Sequence, residues 1–92
     1  MIKSFKHKGL EKLFINDDRS NINQNHADRI LRILDRLDAS SIPNDMNLPG
    51  YKLHQLKGKR KGLYSVWVNG NWRIVFQLEN NNAIAVDYLD YH

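Results

Sequence analysis

Between Leu63 and Leu89 the chain runs through three short stretches of β-type composition, and the breaks between them are Asn69-Gly70 and Glu79-Asn80-Asn81-Asn82. Asparagine and glycine accept the positive φ of tight hairpin turns, so each break sends the chain back antiparallel to the run before it. Strands are expected over residues 63–68, 72–78 and 83–89. A further strand over 51–56 precedes them, linked through the glycine-bracketed basic loop 58–62. Three consecutive hairpin links make an antiparallel meander.

Upstream of this block the period changes. Leu10, Leu13 and Phe14 predict a helix over residues 9–14, after a short strand at 2–5. Ala27, Ile30, Leu31, Ile33, Leu34 and Leu37 recur with the 3.6-residue period of a longer amphipathic helix, and Asn21 with Gln24 resembles its capping box. Residues 40–45 end that helix, and Pro49-Gly50 marks a turn before the strands begin. Helices first and strands afterwards predict an α+β fold, two N-terminal helices packed on a C-terminal antiparallel sheet. At 92 residues there is room for one core, so 1–92 is expected to be a single domain.

A hydrophobic content of 41% with Trp67, Trp72, Phe5, Phe14 and Phe76 is more than a disordered chain carries. The absence of cysteine excludes a disulfide framework, a thiolate nucleophile and a zinc ribbon. Acidic residues interrupt every apolar run behind the basic start, so neither an export signal nor a membrane span is read, and the cytoplasm is the expected compartment. The net charge of +4 is unevenly spread: Lys52, Lys57, Lys59, Arg60, Lys61 and Arg73 fall between Met46 and Leu78 without an acid among them. A field of one sign attracts polyanions, of which nucleic acid is the abundant one; the alternative is a basic face that only maintains solubility.

Strand alternation sorts these residues by face. Trp72, Ile74, Phe76 and Leu78 share one side and meet the long helix, which leaves Arg73, Val75 and Gln77 on the open side. With Leu53 buried, Lys52 and His54 project to that open side as well. The four histidines have no metal-site spacing, so no metal or other cofactor is expected. His7 and His26 are read as surface residues. His54 and His92 can serve as general acid and base for RNA cleavage, since imidazole holds both protonation states near neutrality. Lys57 and Arg73 can bind the phosphate, Asp90 can hold an imidazole or lysine, and Tyr91 can stack on a base. The competing reading of Asp90-Tyr91-His92 is a frayed terminus.

Four segments together carry a resemblance: Tyr51-Lys52-Leu53-His54-Gln55-Leu56-Lys57-Gly58, Gly62 to Asn69, Asn71 to Phe76, and Asp90-Tyr91-His92. In this order they are similar to the HigB toxins of bacterial toxin–antitoxin modules, a branch of the RelE/ParE superfamily. Met1 to Phe5 is also typical, while residues 15–50 agree only in helical character and length, and Gln55 stands where relatives often have proline. The resemblance implies a RelE-like microbial RNase fold and a ribosome-dependent mRNA endonuclease acting on codons in the decoding site. The catalytic group would be His54, Lys57, Arg73, Asp90, Tyr91 and His92, with Lys52, Lys59, Arg60 and Lys61 against ribosomal RNA. The implied partners are the ribosome with its mRNA and a HigA-type helix-turn-helix antitoxin, whose dimer would build a higher-order complex. The alternatives are a ParE-like gyrase inhibitor, which lacks the histidine pair, and a nonenzymatic RNA-binding module.

Overall fold

The computed structural model describes residues 1–57 and 62–90. Helix α1 spans Lys8–Asn16 and α2 spans Ala27–Asp38; a 3₁₀ turn, Pro43–Met46, leads into the sheet. The strands are β1 (His54–Gln55), β2 (Leu63–Asn69), β3 (Trp72–Glu79) and β4 (Asn82–Asp90), antiparallel in the order β1-β2-β3-β4. The expected α+β meander is the observed architecture. Among the described residues no helix is long and apolar enough to cross a membrane.

The core lies between α2 and one face of the sheet. Ile30, Ile33, Leu34 and Leu37 from α2 are fully buried and cluster with Val66, Val68, Ile74 and Phe76. Removing a side chain of this size from water stabilises the fold by about 1.5–3 kcal/mol. Trp72 and Leu78 pack against the same cluster, as alternation along β3 requires. Leu10 and Leu13 bring α1 onto the cluster, and Gly9 lets it approach, because a Cβ there would come within 2.9 Å of Asn21 Cβ.

The ends of the elements depart from expectation for local reasons. Residues 51–56 form only a two-residue strand, because Lys52 takes a left-handed backbone with φ of 49° and turns the chain out of the ladder. Pairing persists on both sides of β1: the Trp67 N–H donates to the Tyr51 carbonyl at 2.7 Å and the Leu56 N–H to the Leu63 carbonyl at 2.8 Å. Residues 2–5 make no independent strand and instead touch β4 through parallel bridges at Ala83 and Val86. Gln24 does not cap α2; its amide donates to the Arg19 and Ile22 carbonyls, and the helix begins after His26. Asn80 and Asn81 both have positive φ, as the turn between β3 and β4 demands, and Gly70 takes the same region between β2 and β3.

One irregularity sets the faces of β4. Ile84 opposes Gln77 and Asp87 opposes Val75, so Ala85 and Val86 together face the single residue Phe76. This bulge reverses the alternation: Val86 and Tyr88 turn into the core, and Asp87 and Leu89 to the open side. Ala85 adopts a φ of 52°, which costs a residue with a Cβ about 1–2 kcal/mol. Ser4 secures the bulge, its hydroxyl accepting from the Ala85 N–H at 2.9 Å and its carbonyl from the Val86 N–H at 3.2 Å.

His26 is not at the surface. It is buried at the start of α2, with Nδ1 2.7 Å from the Tyr88 hydroxyl and its ring edge-on to Trp72 and Tyr88. Trp72 and Tyr88 stack with centroids 4.6 Å apart, so the sheet supplies an aromatic site that a sequence window around residue 26 does not reveal. His7 is half-buried and caps α1, its Nδ1 accepting from the Leu10 N–H.

Burial lowers the pKa of His26 below the ordinary 6.5. The unfolded chain therefore binds a proton at a pH where the folded one does not, and stability is complete above the unfolded value and falls as pH drops below it. Thermal melts should give a lower Tm at about pH 5.5 than at about pH 7.5, and His26→Gln should remove much of that difference. An unchanged pH dependence in the variant would show that His26 is not its source. A second expectation concerns the bulge: Ala85→Gly should raise stability by about 0.5–1 kcal/mol in denaturant titration, and a decrease would refute strain at this position.

Candidate functional site

The helices cover one side of the sheet and leave the other without a helical layer, although Ser65 and Val75 on it are buried among their neighbours. In register, His54 on β1 opposes Ser65 on β2, Ser65 opposes Val75 on β3, and Val75 opposes Asp87 on β4. Trp67, Arg73 and Leu89 form the neighbouring row. Antiparallel partners stand about 4.5–5.5 Å apart at Cα, so His54 borders Ser65 directly, while Arg73, the partner of Trp67, reaches Ser65 diagonally through its side chain.

Ser65 is fully buried and its hydroxyl accepts from Arg73 Nη1 at 3.3 Å; the same nitrogen donates to the Lys52 carbonyl at 3.4 Å. These bonds fix a half-buried guanidinium beside an exposed imidazole. Arginine has five N–H donors on three nitrogens, and these two contacts use Nη1 alone, so Nε and Nη2 can take a phosphate bidentately. The left-handed turn at Lys52 also carries its ammonium to 4.3 Å from the Trp67 ring centroid. A second cation supports this corner from beneath. Arg29 of α2 donates to the Gly50 carbonyl at 2.7 Å and to the Trp67 carbonyl at 3.1 Å, and its guanidinium lies 5.3 Å from the Trp67 ring and 5.5 Å from Tyr51. The chain entering β1 is thereby tied to the long helix.

The structure brings Lys52, His54 and Arg73 to one face. Lys57 is exposed just beyond β1. Asp90 is exposed and opposes Trp72, so alternation sets it on the side of Trp72 and Tyr88, opposite to Arg73 and Leu89. Lys59, Arg60, Lys61, Tyr91 and His92 lie outside the described residues. Among the described residues no three of His, Asp and Glu converge as metal ligands do. Sequence reading passed over Ser65 and Arg29. Ser65 did carry a signal, since it occupies the open-face position between Leu63 and Trp67; Arg29 carried none, because its partners are backbone carbonyls distant in sequence.

Comparison with known proteins gives a consistent picture. The family model described as a RelE-like toxin of type II toxin–antitoxin system HigB matches residues 3–92. The chain is 46% identical over 92 residues to the Endoribonuclease HigB of Proteus vulgaris, all of both chains being covered. It is 34% identical over 94 residues to Toxin HigB-1 of Vibrio cholerae, covering all of this chain and 98% of that one. Among solved structures, the YoeB-YefM complex from Staphylococcus aureus superposes with a TM-score of 0.59 at 19% identity, covering 97% of this chain and 98% of that one, which is a likeness of fold.

The geometry leaves Arg73 able to take an anion from a position that Ser65 helps to fix. Titration with inorganic phosphate, followed by amide NMR, should move Arg73, His54 and Lys52 most. Ser65→Ala should weaken that binding about fivefold, a neutral hydroxyl partner being worth about 1 kcal/mol. Shifts spread evenly over the surface lysines, or full affinity in the variant, would contradict the arrangement.

Proposed function

The chain belongs to the HigB family of RelE-like toxins of type II toxin–antitoxin systems, and from that premise we propose that its open sheet face cleaves mRNA held on the ribosome. The activity is that of an endoribonuclease toxin that acts on mRNA and is kept in check by an antitoxin partner. The observation that carries the assignment of the site is the convergence of His54 and Arg73 on Ser65, on the side of the sheet that no helix covers.

The chemistry follows from the residue types. One imidazole takes the proton of the ribose 2′-hydroxyl, and that oxygen attacks the adjacent phosphorus. The other imidazole protonates the departing 5′-oxygen, which leaves a 2′,3′-cyclic phosphate. His54 and His92 are the two candidates for these roles. Arg73 and Lys57 neutralise the charge that builds on the phosphorane oxygens, and a guanidinium already held by Ser65 loses little freedom in doing so. Tyr91 and Asp90 are positioning residues, Asp90 acting from the opposite side of β4.

Lys52, Lys59, Arg60 and Lys61 supply the phosphate contacts that dock the protein on ribosomal RNA. A single-layer face has little surface with which to bend free RNA into the in-line geometry of attack, so an mRNA already ordered in the decoding site is the fitting substrate. The protein then works in the cytoplasm, and its antitoxin is of the HigA helix-turn-helix type.

Primer extension in a purified translation system tests this reading. Wild-type protein should produce codon-phased cuts only when ribosomes are present. His54→Ala and His92→Ala should each reduce the rate by about 10²–10⁴ while ribosome binding persists. Equal cutting of ribosome-free mRNA would remove the ribosome from the reading, and wild-type rates in both variants would remove the acid/base pair.

A further inference from the structure

Beside Arg73 the open face has a depression of about 290 Å³ lined by Lys6, Leu63, Val75, Ala85, Asp87 and Leu89. The bulge at Ala85 creates it, because the reversed alternation of β4 turns Asp87 and Leu89 outward next to Val75. Three aliphatic side chains from three strands make a flat apolar floor. Lys6 and Asp87 supply opposite charges at its rim and are not paired with one another; the ion pairs within 4.0 Å among the described residues are those of Arg19. Asp87 Oδ1 accepts from the Tyr88 N–H at 2.9 Å, which fixes the carboxylate and leaves its other oxygen available.

A flat apolar floor with one acceptor and one donor at its edge has the chemistry of a nucleobase site. It also lies at the right distance. Val75 follows Arg73 by two residues on the same face, about 6.6 Å along the strand, so a base can enter while a neighbouring phosphate of the same strand rests on Arg73. A carboxylate only accepts hydrogen bonds, and it therefore matches bases with an exocyclic amino group, namely adenine, cytosine and guanine. The ammonium of Lys6 answers the adjacent ring nitrogen or carbonyl. Uracil has no amino group, and its one donor on that edge, N3–H, is flanked by two carbonyl oxygens that a carboxylate repels, so it is the poorest match of the four.

We propose that this depression is a base-recognition subsite that admits a nucleobase bearing an amino group and rejects uracil, with Asp87 as the discriminating residue and Lys6 as its complement. The proposal rests on the nuclease reading for its biological setting and on the pocket alone for its binding chemistry.

Two measurements test it. In the first, a matched set of mRNAs carries A, C, G or U in turn at each position of one codon, and cleavage by wild type, Asp87→Asn and Lys6→Gln is compared on ribosomes. At one codon position wild type should cut the uracil message at least about tenfold less than the others, since a mismatched hydrogen bond to a charged group is worth that much or more. Asp87→Asn keeps an acceptor for the Tyr88 N–H and adds a donor for uracil, so the difference should fall to about twofold or less, with a smaller loss in Lys6→Gln. Wild-type discrimination that survives Asp87→Asn, or the absence of any position disfavouring uracil, overturns the proposal. In the second measurement, methyl NMR follows Leu63, Val75 and Leu89 during titration with AMP, CMP, GMP and UMP, which needs neither ribosomes nor cleavage. Shifts with the first three and not with UMP, abolished in Asp87→Asn, support the subsite. Equal shifts with all four, or none with any, count against it. A wild-type protein that cuts nothing would refute the nuclease reading, and the NMR titration would still decide the subsite.

Discussion

The burial of one face of β3 against α2 is the interaction on which the remainder depends. Ile74 and Phe76 are fully enclosed between Val66 on β2, Val86 on β4 and the Ile30, Ile33, Leu34 row of the helix. Period-2 alternation then leaves Arg73 and Val75 no choice of side. A chain of this length has one helical layer, and by covering one side of the sheet it exposes the other. The candidate site is thus the complement of the core: each residue that faces outward is flanked along its strand by a neighbour that faces the helix.

Around that frame, polar contacts adjust positions instead of supplying most of the stability. Arg29 reaches from α2 to the carbonyls of Gly50 and Trp67 and fixes the approach to β1, where the strand itself contributes only His54 and Gln55. The left-handed backbone at Lys52 bends this segment so that its carbonyl meets Arg73 while its ammonium meets Trp67. A two-residue strand is weak by itself, and here side chains from a helix and two strands hold it. The exposed ion pairs of Arg19 with Asp17 and Asp28 contribute little by comparison.

Much of this was legible in the residues. The order of elements, the hairpins at Gly70 and Asn80-Asn81, and the faces of β3 all follow from periodicity and turn chemistry, and Lys52, His54 and Arg73 do share a side. What escaped was what depends on partners distant in sequence. His26 reads as polar among Asn23, Gln24 and Asn25, and only Trp72 and Tyr88 make its position a buried one. Asn21 and Gln24 have capping-box spacing, yet Gln24 is drawn to the Arg19 and Ile22 carbonyls. The bulge is the clearest case, since nothing in Ala83-Ile84-Ala85-Val86 announces an extra residue. Alternation counted from Ala83 without it would bury Asp87 and Leu89.

The bridges between the first residues and β4 have a consequence for how the protein comes into being. Ala83 is bonded to Met1 and Lys3, and Val86 to Ser4, Lys6 and His7, so the first residues are completed by a strand far along the sequence. Until β4 is in place, Ser4 has no bulge to secure and β3 lacks its outer neighbour. The outward surface is complete only when β4 holds both β3 and the first residues of the chain. Closing this face is thus a non-local step, in which residues 1–7 meet residues 83–86, and it is slower by nature than forming the hairpins that precede it.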